Sequence, residues 1–191
     1  MPAPTVLHVL SQRPALTGSG ITLDALVRCA ADAGWDQRVV VGIPAIGSDP
    51  EVGGLDHDRI HPLRFGTGGL EFEVPGMSDV MPYPSTVWSS LDASQLDSYR
   101  HQWRQRLAAA IAAFAPDLIH TNHIWLMSSL LRDVAPRTPV VATCHATGLR
   151  QMQLCPALRE EVVAGLRRHR GFAVLHADHA RTVREILDVP A

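Results

Sequence analysis

Residues Val6–Val27 read VLHVLSQRPALTGSGITLDALV, and the reading of this stretch decides the fold. Val6–Leu10 is a short apolar run rich in Val and Leu, the composition of a strand covered on both faces. After the loop, Leu23, Leu26, Val27, Ala30 and Ala33 keep the i, i+3, i+4, i+7 spacing of a helix with one buried face, and Gly34 supplies a left-handed C-terminal cap. Arg38–Ile43 (RVVVGI) is a second buried strand, so the chain opens with a βαβ unit whose crossover is right-handed. The loop between, Thr17-Gly18-Ser19-Gly20, has two glycines free to take positive φ, and a helix starting at about Gly20 offers free N–H groups to an anion or a sugar hydroxyl. A tight strand-to-helix turn is the plain alternative. A dinucleotide fingerprint needs a third glycine where Leu23 stands and an acidic residue after the second strand, which instead ends Gly42-Ile43-Pro44. A nicotinamide oxidoreductase therefore fails on two counts.

Outward from this unit the alternation continues. Asp92 is placed to cap a long helix through Phe114, which Pro116 follows. Asp117–His120 and Pro139–Cys144 read as buried strands with a helix, Trp125–Val134, between them. A helix over 156–169, a strand over Phe172–Leu175 and a last helix over 178–187, with Asp178 as its cap, complete the pattern. Strands alternating with helices predict an α/β, Rossmann-like, doubly wound parallel sheet with helices on both faces, in one domain spanning 1–191. Only Pro44–Ser90 departs from it. There Gly and Pro recur and Arg59–Phe65 alone has a weak strand pattern, and irregular connections of that length are functional or mobile.

Composition excludes several chemistries. The chain has 191 residues, 46% of them apolar, enough for one good core. All 17 basic residues are arginine, which removes a P-loop lysine, a Schiff-base lysine and a pyridoxal-phosphate site. A net charge of −2 gives no global attraction to nucleic acid or an anionic membrane, which leaves peripheral membrane contact unsupported. Cys29, Cys144 and Cys155 are widely spaced, which gives neither a disulfide framework nor a zinc knuckle and points to a reducing, cytoplasmic setting. No stretch approaches the roughly 20 apolar residues of a membrane span.

In an open parallel sheet ligands bind beyond the carboxyl ends of the strands. That rule selects SQRPALTGSG after the first strand, His120-Thr121-Asn122-His123 after the fourth and Cys144-His145-Ala146-Thr147-Gly148 after the fifth. His120, His123 and His145 lack the helical face and the matching carboxylate that a zinc site needs, and Cys144 points away from His145, so no metal is expected. One or two of these histidines are expected to touch a polar ligand. His8, inside its strand, reads as a satisfied core histidine. Arg150 suits a phosphate or carboxylate equally well as solvent.

Taken in order, the glycine loop, PDLIHTNH, TPVVATCHATG and GFAVLHADHARTVREILDVPA resemble the N-terminal half of GT-B-fold retaining glycosyltransferases, the large group that includes glycosyltransferase family four. The resemblance spans most of the chain and is weakest over Pro44–Ser90; Ala177 stands where that group often has serine, and Cys144 where an aromatic is common. It implies transfer of a sugar from a nucleoside-diphosphate sugar, a substrate rather than a cofactor, to a hydroxyl acceptor. It implies that Gly18, Ser19 and Gly20 face the donor phosphate or sugar, that His145 lies by the transferred sugar as the catalytic residue, and that Asn122, His123 and Arg150 line the acceptor side. The 66–90 segment, with Met81, Tyr83 and Trp88, would shape the acceptor pocket or a flap. Enzymes of this kind have a second, nucleotide-binding domain, so the chain is expected to be the acceptor-side half, inactive alone, with a homodimer through the exposed cleft face as a further expectation. A non-catalytic sugar- or protein-binding module and a GT-B-type epimerase fragment are the alternatives.

Overall fold

The computed structural model describes residues 2–188. Its centre is a six-stranded sheet in the order β3-β2-β1-β6-β7-β8, formed by β1 (Thr5–Leu10), β2 (Asp36–Pro44), β3 (Ile60–Phe65), β6 (Leu118–Asn122), β7 (Val140–Cys144) and β8 (Gly171–Val174). Every neighbouring pair is parallel. A two-stranded parallel ladder of β4 (Pro75–Gly76) and β5 (Thr86–Val87) stands apart. The sheet grows from β1 toward β2 and β3, then restarts on the other side of β1 with β6, β7 and β8. With right-handed crossovers, reversing the direction of growth moves the connecting helices to the opposite face.

The packing follows. α1 (Gly18–Asp32) lays Leu23 and Val27 against Leu10, Val39, Val41 and Ile43, with Val52 and Ile60 closing this smaller core. The other face carries α2 (Ala93–Phe114), α3 (Leu126–Val134), α5 (Pro156–Leu166) and α6 (Ala177–Leu187). There Trp103, Leu107, Leu130, Val162, Leu166 and Val183 meet Leu7, Val9, Val40, Ile119 and Ala142. The fold is thus the doubly wound α/β layout with helices on both faces. One helix was not expected from sequence: α4 (Ala146–Leu154) fills the stretch read as a turn after β7. The last helix also begins earlier than expected, with His176 rather than Asp178 at its N-cap. Val189, Pro190 and Ala191, which close the last resembling stretch, lie outside the described residues.

The Gly- and Pro-rich connection from 66 to 92, between β3 and α2, is anchored by aromatic packing. Trp88 is buried edge-on to Tyr99 of α2 at 5.0 Å and to Trp125 at 5.6 Å between ring centroids. That anchor holds 76–83 over the carboxyl ends of the strands, where the Tyr83 hydroxyl accepts a hydrogen bond from the Arg13 N–H at 3.3 Å.

Candidate functional site

The direction of the sheet reverses between β1 and β6, and the loops leaving β1, β6 and β7 part there to leave a crevice. A cavity of about 340 Å³ occupies it. Gln12, Thr17, Gly18 and Ser19 line one side, His123, His145, Ala146 and Thr147 the other, and Met77, Ser78, Met81 and Leu175 the rim. Two helices open on this space, α1 through Thr17–Ser19 and α4 through His145–Thr147. The positive ends of both helix dipoles therefore face it. No arginine, aspartate or glutamate is among the described lining residues.

On the α1 side Thr17 is the N-cap, its hydroxyl accepting from the Gly20 N–H at 3.2 Å. The Gln12 side-chain amide donates to Thr17 Oγ1 at 3.0 Å and to Ser19 Oγ at 2.6 Å. Gln12 is 2% exposed, and its Oε1 is buried with no partner among the described residues. The expectation that the two loop glycines take positive φ is corrected: neither does, because both lie inside the helix, while the left-handed residue of this turn is Ala15 at φ 70°. Gly20 is glycine for space. A Cβ there would lie 2.6 Å from the Ala15 nitrogen.

On the α4 side the tautomer of His145 is fixed from below. Asn122 Nδ2 donates to the Val9 carbonyl at 3.3 Å, which turns Oδ1 toward His145 Nε2 at 3.2 Å. Since Oδ1 only accepts, Nε2 carries the proton and Nδ1 of the neutral ring is the free acceptor. Burial lowers the His145 pKa, so the ring is neutral at neutral pH. Beside it, with ring centroids 4.7 Å apart, His123 hydrogen-bonds Thr147 Oγ1 through Nδ1 at 3.2 Å, and its Nε2 is buried without a partner among the described residues. Burial, then repulsion from His145, holds His123 well below the usual histidine range. Its backbone is left-handed, φ 69°, at the end of β6. Such strain costs about 1–3 kcal/mol and persists where surrounding structure enforces it, often at functional sites.

The structure therefore brings Gly18, Ser19, His123 and His145 to one cavity. Gly20 packs behind the loop, and Asn122 is fully buried behind His145 with its amide spent on Val9 and that ring. Arg150, on α4, is paired with Asp79 away from the cavity lining. His120 turns onto the sheet with His8, their Nδ1 atoms 3.0 Å apart, and among the described residues no three His, Cys, Asp or Glu side chains converge as metal ligands. Met81 lines the cavity, whereas Trp88 belongs to the core. Gln12 was missed from sequence; its one signal was being a polar residue two places beyond a parallel strand at the point of reversal.

Among known structures, sucrose-phosphate synthase from Thermosynechococcus elongatus superposes with a TM-score of 0.63 at 18% identity, covering 96% of this chain and 45% of that one. The N-terminal domain of Candida albicans trehalose-6-phosphate phosphatase superposes with a TM-score of 0.55 at 13% identity, covering 98% and 43%. At these identities the likeness is one of fold, and the chain spans less than half the length of either. No curated protein sequence matches. Residues 17–191 match the family described as glycosyl transferase 4-like domain, which covers both helix N-termini of the cavity and all the described sheet except β1. The chain belongs to that family and has the Rossmann-like fold of the N-terminal half of GT-B glycosyltransferases.

Proposed function

We propose that this domain is the acceptor-side wall of a retaining glycosyltransferase, which moves a sugar from a nucleoside-diphosphate sugar to a hydroxyl acceptor. The observation that carries this is the convergence of two helix N-termini and a neutral histidine on one cavity at the sheet's point of reversal. Charge grows on the diphosphate as the sugar leaves, and fixed N–H dipoles in a partly desolvated site stabilise it without reorganising. Arginine and lysine are not needed in this wall. His145 Nδ1, held as an acceptor by Asn122, orients a sugar hydroxyl. Among the described residues no carboxylate lines the cavity to serve as a glycosyl-accepting nucleophile. This supports a front-face step: the bond from C1 to the phosphate oxygen breaks, the bond from C1 to the acceptor oxygen forms, and the acceptor proton passes to the departing phosphate.

The donor is a substrate, and the proposal calls for no cofactor. A second domain, outside these residues, would hold the nucleotide across the cavity. Cys29, Cys144 and Cys155 are free thiols, in keeping with a reducing compartment such as the cytoplasm. Among the described residues no helix is long and apolar enough to cross a membrane. The test is a transfer assay over a panel of uridine, guanosine and adenosine diphosphate sugars, with the chain alone and joined to a nucleotide-binding domain of the same family. Turnover only in the joined form is expected; robust turnover by the 191 residues alone would overturn the half-site reading.

A further inference from the structure

The hydrogen-bond arithmetic around Gln12 leaves two groups over. Thr17 Oγ1 accepts from the Gly20 N–H and from the Gln12 amide, which fills its lone pairs, so its own proton goes to Ser19 Oγ at 3.2 Å. Ser19 Oγ then accepts from Thr17 and from the Gln12 amide at 2.6 Å, and its proton has no partner within the cluster. The other remaining group is Gln12 Oε1, buried and unpaired. Both residues line the cavity. A bare acceptor next to a bare donor is the complement of one group, a hydroxyl, which donates and accepts at once. The ionised oxygens of a sugar nucleotide's diphosphate are not: they offer only lone pairs and would leave Gln12 Oε1 unsatisfied, at the cost of an unmade buried hydrogen bond.

We infer that Gln12 and Ser19 form a hydroxyl-reading pair, which takes a sugar or polyol through an uncharged part of it and rejects phosphate at that spot. It rests on the reading of the cavity as a sugar site. The helix dipole remains available to a phosphate at the cavity mouth, whereas the floor around Gln12 recognises an O–H. Absence of arginine, aspartate and glutamate from the described lining, and the neutral state of both histidines, agree with an uncharged occupant there.

The test is a nuclear magnetic resonance titration of the ¹⁵N-labelled chain, following the Gln12 side-chain amide and the backbone amides of residues 17–20. The probes are D-glucose, D-fructose and myo-inositol, then inorganic phosphate and UDP-glucose. At least one neutral polyol is expected to shift the Gln12 amide. Gln12→Met and Ser19→Ala should each weaken that binding about fivefold to tenfold, as for one lost hydrogen bond. Any response to phosphate should be the same in Gln12→Met as in the parent. Thermal melts confirm that each variant is folded. Polyol binding unchanged by both Gln12→Met and Ser19→Ala, or phosphate binding lost in Gln12→Met, would overturn the hydroxyl-reading pair. If UDP-glucose shifts the loop while no polyol moves Gln12, the pair fails and the sugar-nucleotide reading stands. If no probe moves the cavity, the pair fails, and the transfer assay with the joined domains decides the sugar-nucleotide reading.

Discussion

Gly20 sits so close to the backbone of Ala15 that a methyl group would lie 2.6 Å from the Ala15 nitrogen, while at Gly18 a methyl would meet nothing within 4 Å. The two glycines of one loop therefore make opposite predictions. Gly20→Ala must push the Pro14–Ala15 turn aside, and is expected to lower stability by about 1–3 kcal/mol as other overpacked sites do. Gly18→Ala relieves a helix of a flexible residue and is expected to be neutral or to stabilise by up to about 1 kcal/mol. Urea denaturation of both variants checks this, and equal losses would contradict the packing account. His145 carries a sharper expectation. Asn122 fixes its Nε2 proton, so Asn122→Asp, which gives up the donation to Val9, places a carboxylate beside the ring and raises the His145 pKa. Histidine titration by ¹H–¹⁵N spectroscopy should show that rise; an unmoved pKa would mean the contact does not set the ring's protonation.

At the scale of elements, α2 is pinned by a capping box, in which Asp92 Oδ1 accepts from the Gln95 N–H at 2.9 Å and Gln95 Oε1 from the Asp92 N–H at 3.0 Å. Asp92→Ala should cost about 1 kcal/mol in a urea melt. The strands carry a pH dependence. Val27 O orients Gln37, Gln37 Oε1 takes the His8 Nε2 proton, and His8 Nδ1 in turn accepts from His120, whose Nε2 accepts from the Thr143 hydroxyl. Burial pushes His8 down to about 4 and His120 to about 3, so the folded chain keeps both neutral where an unfolded chain takes up protons below about 6.5. Unfolding thus absorbs protons in that window. Stability is full above pH 6.5 and falls as the pH drops toward 4, by on the order of 3 kcal/mol for His8 alone, and His123 and His169 add in the same direction. A urea midpoint that does not fall between pH 7.5 and 4.5 would contradict this. These elements also show what could be read from sequence. The strands were legible because Val- and Leu-rich runs buried on both faces have no other home, and α2 because a cap and a proline bracket it. α4 was not, because Gly148 reads as a helix breaker; its role is close packing, since a Cβ would lie 3.1 Å from the Ile124 backbone nitrogen. The β4–β5 ladder is two residues long on each side and has no period to detect. Of the site, the loops at the strand ends were legible from topology alone. Gln12 and the supporting role of Asn122 depend on hydrogen-bond direction, which spacing does not encode.

For the whole molecule, the reversal of strand order at β1 does two things. It sends α1 and the later helices to opposite faces, and it parts the loops that become the cavity. Among the described residues the same geometry leaves β6, β7 and β8 without a helix on the α1 face, where Leu118, Val141 and Ala173 line an apolar hollow with Leu26 and Trp35. The cavity at the point of reversal is edged by helix N-termini and mixed polar and apolar side chains, the hollow on the open sheet is more uniformly apolar, and the account assigns the sugar nucleotide to the cavity. The most direct measurement is a map of amide shifts on the ¹⁵N-labelled chain over a series of uridine, guanosine and adenosine diphosphate sugars. The account predicts that at least one of them produces shifts concentrated at residues 17–20, 77–81, 123 and 145–147 and weakened by His145→Ala. Shifts confined to the hollow over β6–β8, or no shift with any donor, would contradict it.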